Sequence, residues 1–215
     1  MSDTNCPVSG PGGYPSDCEL TQALRERAVE RNRPLLRSKK WMSLLPRAKQ
    51  IKLLLLDVDG VLTDGTIVYT EEGGESKGFN TKDGFGLRML QDSGIDVGVI
   101  TARTSEAVRR RAGDLGFAHL YQGRKDKNRV FDEILGATKL RPLHTAYMGD
   151  DWLDLPLLGR VGLAASPADA VPEVQQRVDY VCVQNGGHGA VREICDLILE
   201  AKGQLSTLLA QYGGL

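Results

Sequence analysis

The chain has 215 residues, 41% of them hydrophobic and 26% charged, with a net charge of −1. That length fits one domain with extensions, large enough to bury a core without metal or disulfide support. The near-neutral charge excludes a global pull toward nucleic acid or membrane. No apolar run approaches the roughly 18 residues of a membrane helix. The opening "MSDTNCPVSGPGGYPSD" has no apolar h-region, so the protein reads as cytoplasmic, with neither nucleic acid nor membrane as partner. The four cysteines (Cys6, Cys18, Cys182, Cys195) form no C-x-x-C pair and predict free thiols in a reducing compartment.

Residues 1–17 are rich in Gly, Pro and Ser, and disorder is expected there. Asp17 is positioned to cap a helix running to about Asn32, and Pro34 and Pro46 should break the chain beyond it. Between Arg25 and Lys52 there are ten Lys or Arg against two Glu. Residues 1–50 therefore read as a basic, partly disordered N-terminal extension. Without aromatic residues interleaved as base platforms, packing on the domain or a neighbouring subunit is preferred to binding an acidic partner.

From Ile51 short apolar runs alternate with amphipathic stretches. "IKLLLLDV" predicts a strand, and "GTIVYT" and "SKGFN" around "EEGGE" predict a β-hairpin. "GFGLRMLQDSG" is a helix ending at Gly94, and "IDVGVIT" a strand. "SEAVRRRAGDLG" is a helix capped by Ser105 and ended by Gly116. "AHLYQG" (strand), "DKNRVFDEILGATK" (helix), "HTAYMG" (strand), "WLDLPLLGRV" (short helix) and "DYVCV" (strand) come next. "GAVREICDLILEAKGQLSTLLAQYG" closes the chain as a helix with a break near Gly203, which leaves 203–215 as a C-terminal tail. Alternating β and α over 51–202 predicts an α/β fold: a Rossmann-like, doubly wound parallel sheet covered on both faces.

Ligands of such sheets bind outside the carboxyl ends of the strands. The first strand is followed by Asp57 and Asp59, which share one parity in an extended segment and should point the same way. Thr101, with Arg103 close by, follows another strand, and Lys127 opens a helix. Asp150 and Asp151 follow "AYMG", with Asp154 one turn on. Paired carboxylates repel and need a proton or a cation. An all-oxygen set suits Mg²⁺, which takes one or two carboxylates plus water and phosphate. A carboxylate nucleophile, a second carboxylate as acid and base, a lysine and a hydroxyl together fit phosphoryl transfer. A lone Asp would be better read as a helix cap; the repetition at successive strand ends outweighs that reading.

These motifs resemble the haloacid dehalogenase superfamily of phosphohydrolases over residues 51 to about 203. "LDVDGVLTDG", "VITAR", Lys127 and "GDDWLD" match its four motifs in order. "FNTKDGFGLR", "HLYQG", "AYMGDD" and "GGHGAVREICDLIL" resemble, more narrowly, the phosphatases of 3-deoxy-D-manno-octulosonate 8-phosphate. The resemblance implies a fold without a large cap domain, a homotetramer, Mg²⁺ dependence and a place in making the inner sugar of lipopolysaccharide. By position it makes Asp57 the nucleophile and Asp59 the general acid/base. It makes Asp57, Asp59 (through its carbonyl) and Asp150 the metal ligands, with Thr101 and Lys127 holding the phosphoryl group. Asp151 or Asp154 would orient metal-bound water. Substrate contacts map onto Asp59, Asn80, Thr81, Lys82, Asp83, Gly84, Arg88, Arg103, Arg111 and Lys127, whose cations suit a sugar acid. Lys82 stands where the family has Arg, Ala102 where it has Gly, and His188 where it has Arg.

Alternatives are a relative acting on a nine-carbon sugar acid 9-phosphate and, in another class, a receiver-type phospho-acceptor domain. A receiver carries its acidic pair first and its acceptor later, whereas here D-x-D leads. His119 reads as packing, His144 as exposed, and His188 as either loop filler or substrate contact. Cys182 and Cys195 read as core.

Overall fold

The computed structural model describes residues 15–31, 36–71 and 73–213, the side chains of 28–31 and 213 excepted. Two compact units divide the chain, 1–38 and 39–215. In the first, α1 (Asp17–Arg31) begins with Ser16, whose N–H donates to Glu19 at 2.7 Å. Pro34 and most of the expected N-terminal disorder lie outside the described residues. The second unit opens with α2 (Lys39–Ala48), which buries Trp41, Leu44 and Ala48, so the compact fold starts before the first strand. Pro46, expected as a breaker, sits inside α2 on its exposed side. The spacing of three apolar residues on one face outweighs one lost backbone bond near the helix end.

The elements then run β1 (Leu53–Leu56), β2 (Val68–Tyr69), β3 (Glu75–Ser76), α3 (Thr81–Asp92), β4 (Asp96–Ile100), α4 (Glu106–Leu115), β5 (His119–Tyr121), α5 (Lys127–Thr138) and β6 (Thr145–Met148). After them come α6 (Leu155–Leu158), β7 (Leu163–Ser166), α7 (Pro172–Gln175), β8 (Tyr180–Val181), α8 (Ala190–Ala201) and α9 (Leu205–Gly213). The pattern of apolar runs does not predict β7 or α7: "LAAS" has no β-branched residue, and α7 is a single turn. The break at Gly203 is present, with φ of 71°.

Six parallel strands lie in the order β5-β4-β1-β6-β7-β8, and β2 pairs antiparallel with β3 in a separate hairpin. The four leucines of β1 are fully buried because they face both ways. Leu54 and Leu56 pack with α2, α3 and α8, while Leu53 and Leu55 pack with α5 and α6. β1 lies between β4 and β6. The chain order reverses there, which opens a crevice at the carboxyl ends. Among the described residues no large cap is inserted; the hairpin between β1 and α3 is a small addition. Cys182 and Cys195 are free and buried, whereas Cys18 is disulfide-bonded, contrary to the free-thiol expectation. Spacing along the sequence does not say which thiols meet in space.

Candidate active site

Asp57 continues β1 by one residue, its N–H donating to the Met148 carbonyl at 3.0 Å. The chain then turns sharply: the N–H groups of Val61, Leu62 and Thr63 all donate to the Val58 carbonyl. Gly60 takes φ of 81° in this turn, a left-handed conformation open to glycine. A Cβ there would also overlap the Asp150 carboxylate. The turn undoes the parity expected of Asp57 and Asp59. Asp57 faces Lys127, whereas Asp59 faces the hairpin and accepts from Lys77.

Lys127 is the first residue of α5, which Asp126 caps by accepting from the Arg129 N–H at 3.1 Å. Its side chain runs inward until 1% is exposed, and Nζ ends 3.1 Å from Asp57 Oδ1 and 2.6 Å from Asp154 Oδ1. Tyr147, on β6, donates its hydroxyl to Asp154 Oδ1 at 2.5 Å and lies 3.0 Å from Lys127 Nζ. The other oxygen of Asp154 accepts the N–H groups of Asp150 at 2.9 Å and Asp151 at 3.3 Å. Asp154 therefore anchors the lysine and the G-D-D turn together; the role of orienting water does not fit an oxygen pair so committed. Asp151 is exposed and caps the 3₁₀ turn by accepting from the Trp152 N–H at 2.6 Å.

Charges in this pocket are unbalanced. Burial works against the Lys127 ammonium, but Asp57 and Asp154 outweigh it and raise its pKa. Burial pushes Asp57 up to about 6 against the pull of Lys127. It pushes Asp150 up to about 8, helped by Asp154, Asp57 and Asp151. Asp150 Oδ1 is buried with no hydrogen-bond partner. Carboxylate oxygens of Asp57, Asp150 and Asp154 lie within 4.8 Å of one another. An orphaned oxygen among three carboxylates and one ammonium fits a hard divalent cation, and no His or Cys among the described residues joins the cluster.

Thr101 is the residue after β4. It is buried; its N–H donates to the Tyr121 carbonyl at 2.9 Å, and its hydroxyl oxygen accepts from the Arg103 N–H at 3.3 Å. Thus Asp57, Thr101 and Asp150 follow the ends of the neighbouring strands β1, β4 and β6, and Lys127 opens the helix after β5.

The remaining expected residues are more dispersed. Arg103 reaches Asp59 Oδ2 at 3.8 Å and Glu75 Oε2 at 3.0 Å. Asn80 caps α3, its side-chain oxygen accepting from the Lys82 N–H at 2.8 Å and its amide donating to the Gly187 carbonyl at 3.1 Å. Thr81 and Lys82 are exposed on the first turn. Asp83 is buried and accepts from the backbone N–H groups of Arg192 at 2.8 Å and Gly189 at 3.3 Å, which occupies its carboxylate at the start of α8. Gly84 leaves room for Arg111, which donates to the Asn80 carbonyl at 3.2 Å. Arg88 donates to the Asp114 carbonyl at 2.8 Å. Sequence reasoning misses Tyr147 and the hairpin pair Glu75 and Lys77. Period-two spacing, which puts Glu75 and Lys77 on one side of the hairpin, is the signal that could have found that pair. His188 is exposed, its Nδ1 2.8 Å from the Gly186 carbonyl oxygen. It borders a cleft of about 420 Å³ lined by Asp64, Ser76, Phe79, Asn80 and Gly187 among others.

No protein-family model matches the chain. Individual relatives do. The 3-deoxy-D-manno-octulosonate 8-phosphate phosphatase KdsC of Salmonella typhi is 45% identical over 168 residues, covering 78% of this chain and 89% of the relative. The crystal structure of the phosphatase of that name from Yersinia pestis has 45% identity and a TM-score of 0.75, covering 76% of this chain and 88% of that one. The Moraxella catarrhalis enzyme, solved with a magnesium ion, a phosphate ion and a KDO molecule, has 39% identity and a TM-score of 0.78, covering 79% and 98%. With 45% identity spread over nearly nine-tenths of a relative, the chain belongs to the 3-deoxy-D-manno-octulosonate 8-phosphate phosphatase family of the haloacid dehalogenase superfamily.

Proposed function

We propose that this protein is a Mg²⁺-dependent phosphatase that hydrolyses 3-deoxy-D-manno-octulosonate 8-phosphate to the sugar acid and phosphate. The observation that carries the reading is Lys127 Nζ placed between Asp57 and Asp154, with the unpartnered oxygen of Asp150 alongside. An Asp57 oxygen attacks phosphorus, the bond to the sugar oxygen breaks, and Asp59 gives that oxygen a proton. Asp57 then carries the phosphoryl group. Asp59 takes a proton from water, the water oxygen attacks phosphorus, and the Asp57 carboxylate leaves. Lys127 and Thr101 hold the equatorial oxygens on which charge develops. Asp57, the Asp59 carbonyl and Asp150 would hold Mg²⁺, which when bound neutralises the carboxylates and the phosphoryl charge.

Arg103 stands beside Asp59 and is the guanidinium assigned here to the sugar-acid carboxylate; Asn80 to Gly84, Arg88 and Arg111 stay proposed contacts. The hairpin pairs only Val68 with Ser76 and Tyr69 with Glu75, too little to cover the strand ends. We therefore propose a homotetramer in which a neighbouring copy completes the lid, working in the cytoplasm to supply the inner-core sugar of lipopolysaccharide. No helix among the described residues is long and apolar enough to cross a membrane.

Turnover of octulosonate 8-phosphate, a nonulosonate 9-phosphate and a neutral hexose 6-phosphate, with Mg²⁺ and after chelation, tests the reading. One charge-assisted hydrogen bond to the carboxylate predicts a preference over the hexose ester of roughly ten- to a hundredfold in kcat/KM. Equal rates on acid and hexose esters would reduce the protein to a generic phosphatase. Preference for the nine-carbon acid would reassign the substrate, and phosphorylation without turnover would favour a receiver. Light scattering at assay concentration tests the tetramer.

A further inference from the structure

Lys77 follows β3 on a hairpin where Val68, Tyr69 and Ser76 are exposed, yet 1% of its own side chain is exposed. An ammonium is hidden to that degree only when paired. Its partner is Asp59 Oδ1, with Glu75 Oε1 at 3.9 Å. On the other side of the same carboxylate, Arg103 Nε lies 3.8 Å from Asp59 Oδ2, and Arg103 Nη2 lies 3.0 Å from Glu75 Oε2. Lys77, Asp59, Arg103 and Glu75 thus form a closed ring of alternating charge. Two of its members come from the hairpin, one from the turn after β1 and one from the end of β4.

We propose that Lys77 is a positioning residue for Asp59. It fixes the carboxylate from the flap side, so that the proton-carrying oxygen is aimed at the leaving-group oxygen. The proposal rests on the acid/base reading of Asp59 above. Such a group must come within about 2.6–3.2 Å of the oxygen it serves. Asp59 sits on a turn with no helix or strand to limit its rotamers, and its Oδ1 is held by Lys77. A general acid misplaced by about 1 Å loses on the order of a hundredfold in rate. Arg103 is half-exposed and 0.8 Å farther than its own contact with Glu75 (3.8 against 3.0 Å), so it orients Asp59 less firmly than the buried lysine.

The dependence on the leaving group separates this role from a structural one. A sugar alkoxide must be protonated as it departs; p-nitrophenolate need not be. In the first turnover, before the water attack that Asp59 also serves, Lys77→Met should slow release of the sugar acid by on the order of a hundredfold and release of p-nitrophenol by less than about threefold. Lys77→Arg should restore most of the loss. Asp59→Asn should show the same split, and adding Lys77→Met to it should bring no further loss on the sugar ester. Equal losses on both esters in Lys77→Met, with the split present in Asp59→Asn, would overturn the role of Lys77 alone. So would an increase in KM for the sugar acid at unchanged kcat, since that marks a direct carboxylate contact. Absence of the split in Asp59→Asn would overturn the acid/base assignment, and the Lys77 role with it. If Lys77→Met fails to fold, as judged by its melting curve, Lys77→Gln carries the test: the same split between the two esters supports the proposal, and equal losses on both, or none on either, overturn it.

Discussion

Lys127 Nζ and Asp154 Oδ1 stand 2.6 Å apart where 1% of one side chain and none of the other is exposed. Burying two charges is unfavourable in itself; breaking such a pair leaves one of them uncompensated, at roughly 3–5 kcal/mol. Asp154→Ala would also strip the acceptor from the Tyr147 hydroxyl and from the N–H groups of Asp150 and Asp151. A loss of about 3–5 kcal/mol is expected in urea unfolding, or on the order of 10 °C in Tm. A loss under about 1 kcal/mol would mean that water replaces the carboxylate.

Asp57→Asn should abolish turnover with the fold intact, because an amide cannot attack phosphorus. Burial already disfavours the Asp57 carboxylate, whose pKa is pushed up to about 6, so removing the charge is not expected to destabilise the metal-free protein at neutral pH. Activity on octulosonate 8-phosphate and the unfolding midpoint check both halves. More than trace turnover would take the nucleophile role away from Asp57.

How much of the site is legible in the sequence depends on where each residue stands relative to a strand. Asp57, Thr101, Asp150 and Lys127 each come after an apolar run, and a parallel α/β sheet brings such ends together whatever the loops do. The divergence of Asp57 and Asp59 is illegible because the chain leaves extended geometry at Val58. Asp83 sits among the expected substrate contacts in the sequence, but its partner Gly189 is 106 residues away, beyond any local pattern. Tyr147 reads as one more buried strand residue, since no periodicity says that its hydroxyl meets Asp154. Lys77 reads as a solvated hairpin residue, because β-ribbons alternate faces without saying which face meets a site. The short β7 lacks β-branched residues, and Pro46 hides α2.

Asp150 predicts a pH dependence. Its pKa in the folded, metal-free protein is pushed from 3.8 up to about 8 by burial, then by neighbouring carboxylates. The folded state therefore binds the proton more tightly than the unfolded chain. The contribution is most favourable below pH 3.8 and is lost as pH rises through about 8. Metal-free protein should lose stability between those limits, and Asp150→Asn should flatten that loss. Mg²⁺ should raise the wild-type Tm most at the alkaline end, and Asp150→Asn should abolish most of that rise. Parallel pH profiles for wild type and Asp150→Asn without metal would contradict this coupling.

The backbone behind the carboxylate cluster is packed without slack. A Cβ on Gly186 would overlap the carbonyl oxygen of Gly60, and one on Gly60 would overlap the Asp150 carboxylate. Three layers are thus stacked without room for a methyl group: the 186–189 loop, the turn after β1, and the G-D-D turn. The loop is pinned in place by Gly187 N–H to the Val61 carbonyl and by Gly186 N–H to Asp169, each at 2.9 Å. Gly186→Ala must push the loop outward or the turn toward Asp150. Overpacking of this kind typically removes about 1–3 kcal/mol. Gly136 is the matched control: it lies inside α5, and a Cβ there would meet nothing within 4 Å. Gly136→Ala should therefore stabilise by roughly 0.5–1 kcal/mol, as expected of glycine in a helix interior. Measured together, Gly186→Ala should lower both Tm and Mg²⁺ affinity by calorimetry, while Gly136→Ala raises Tm and leaves Mg²⁺ affinity alone. If Gly186→Ala binds Mg²⁺ like wild type, the loop supports the fold but not the position of Asp150.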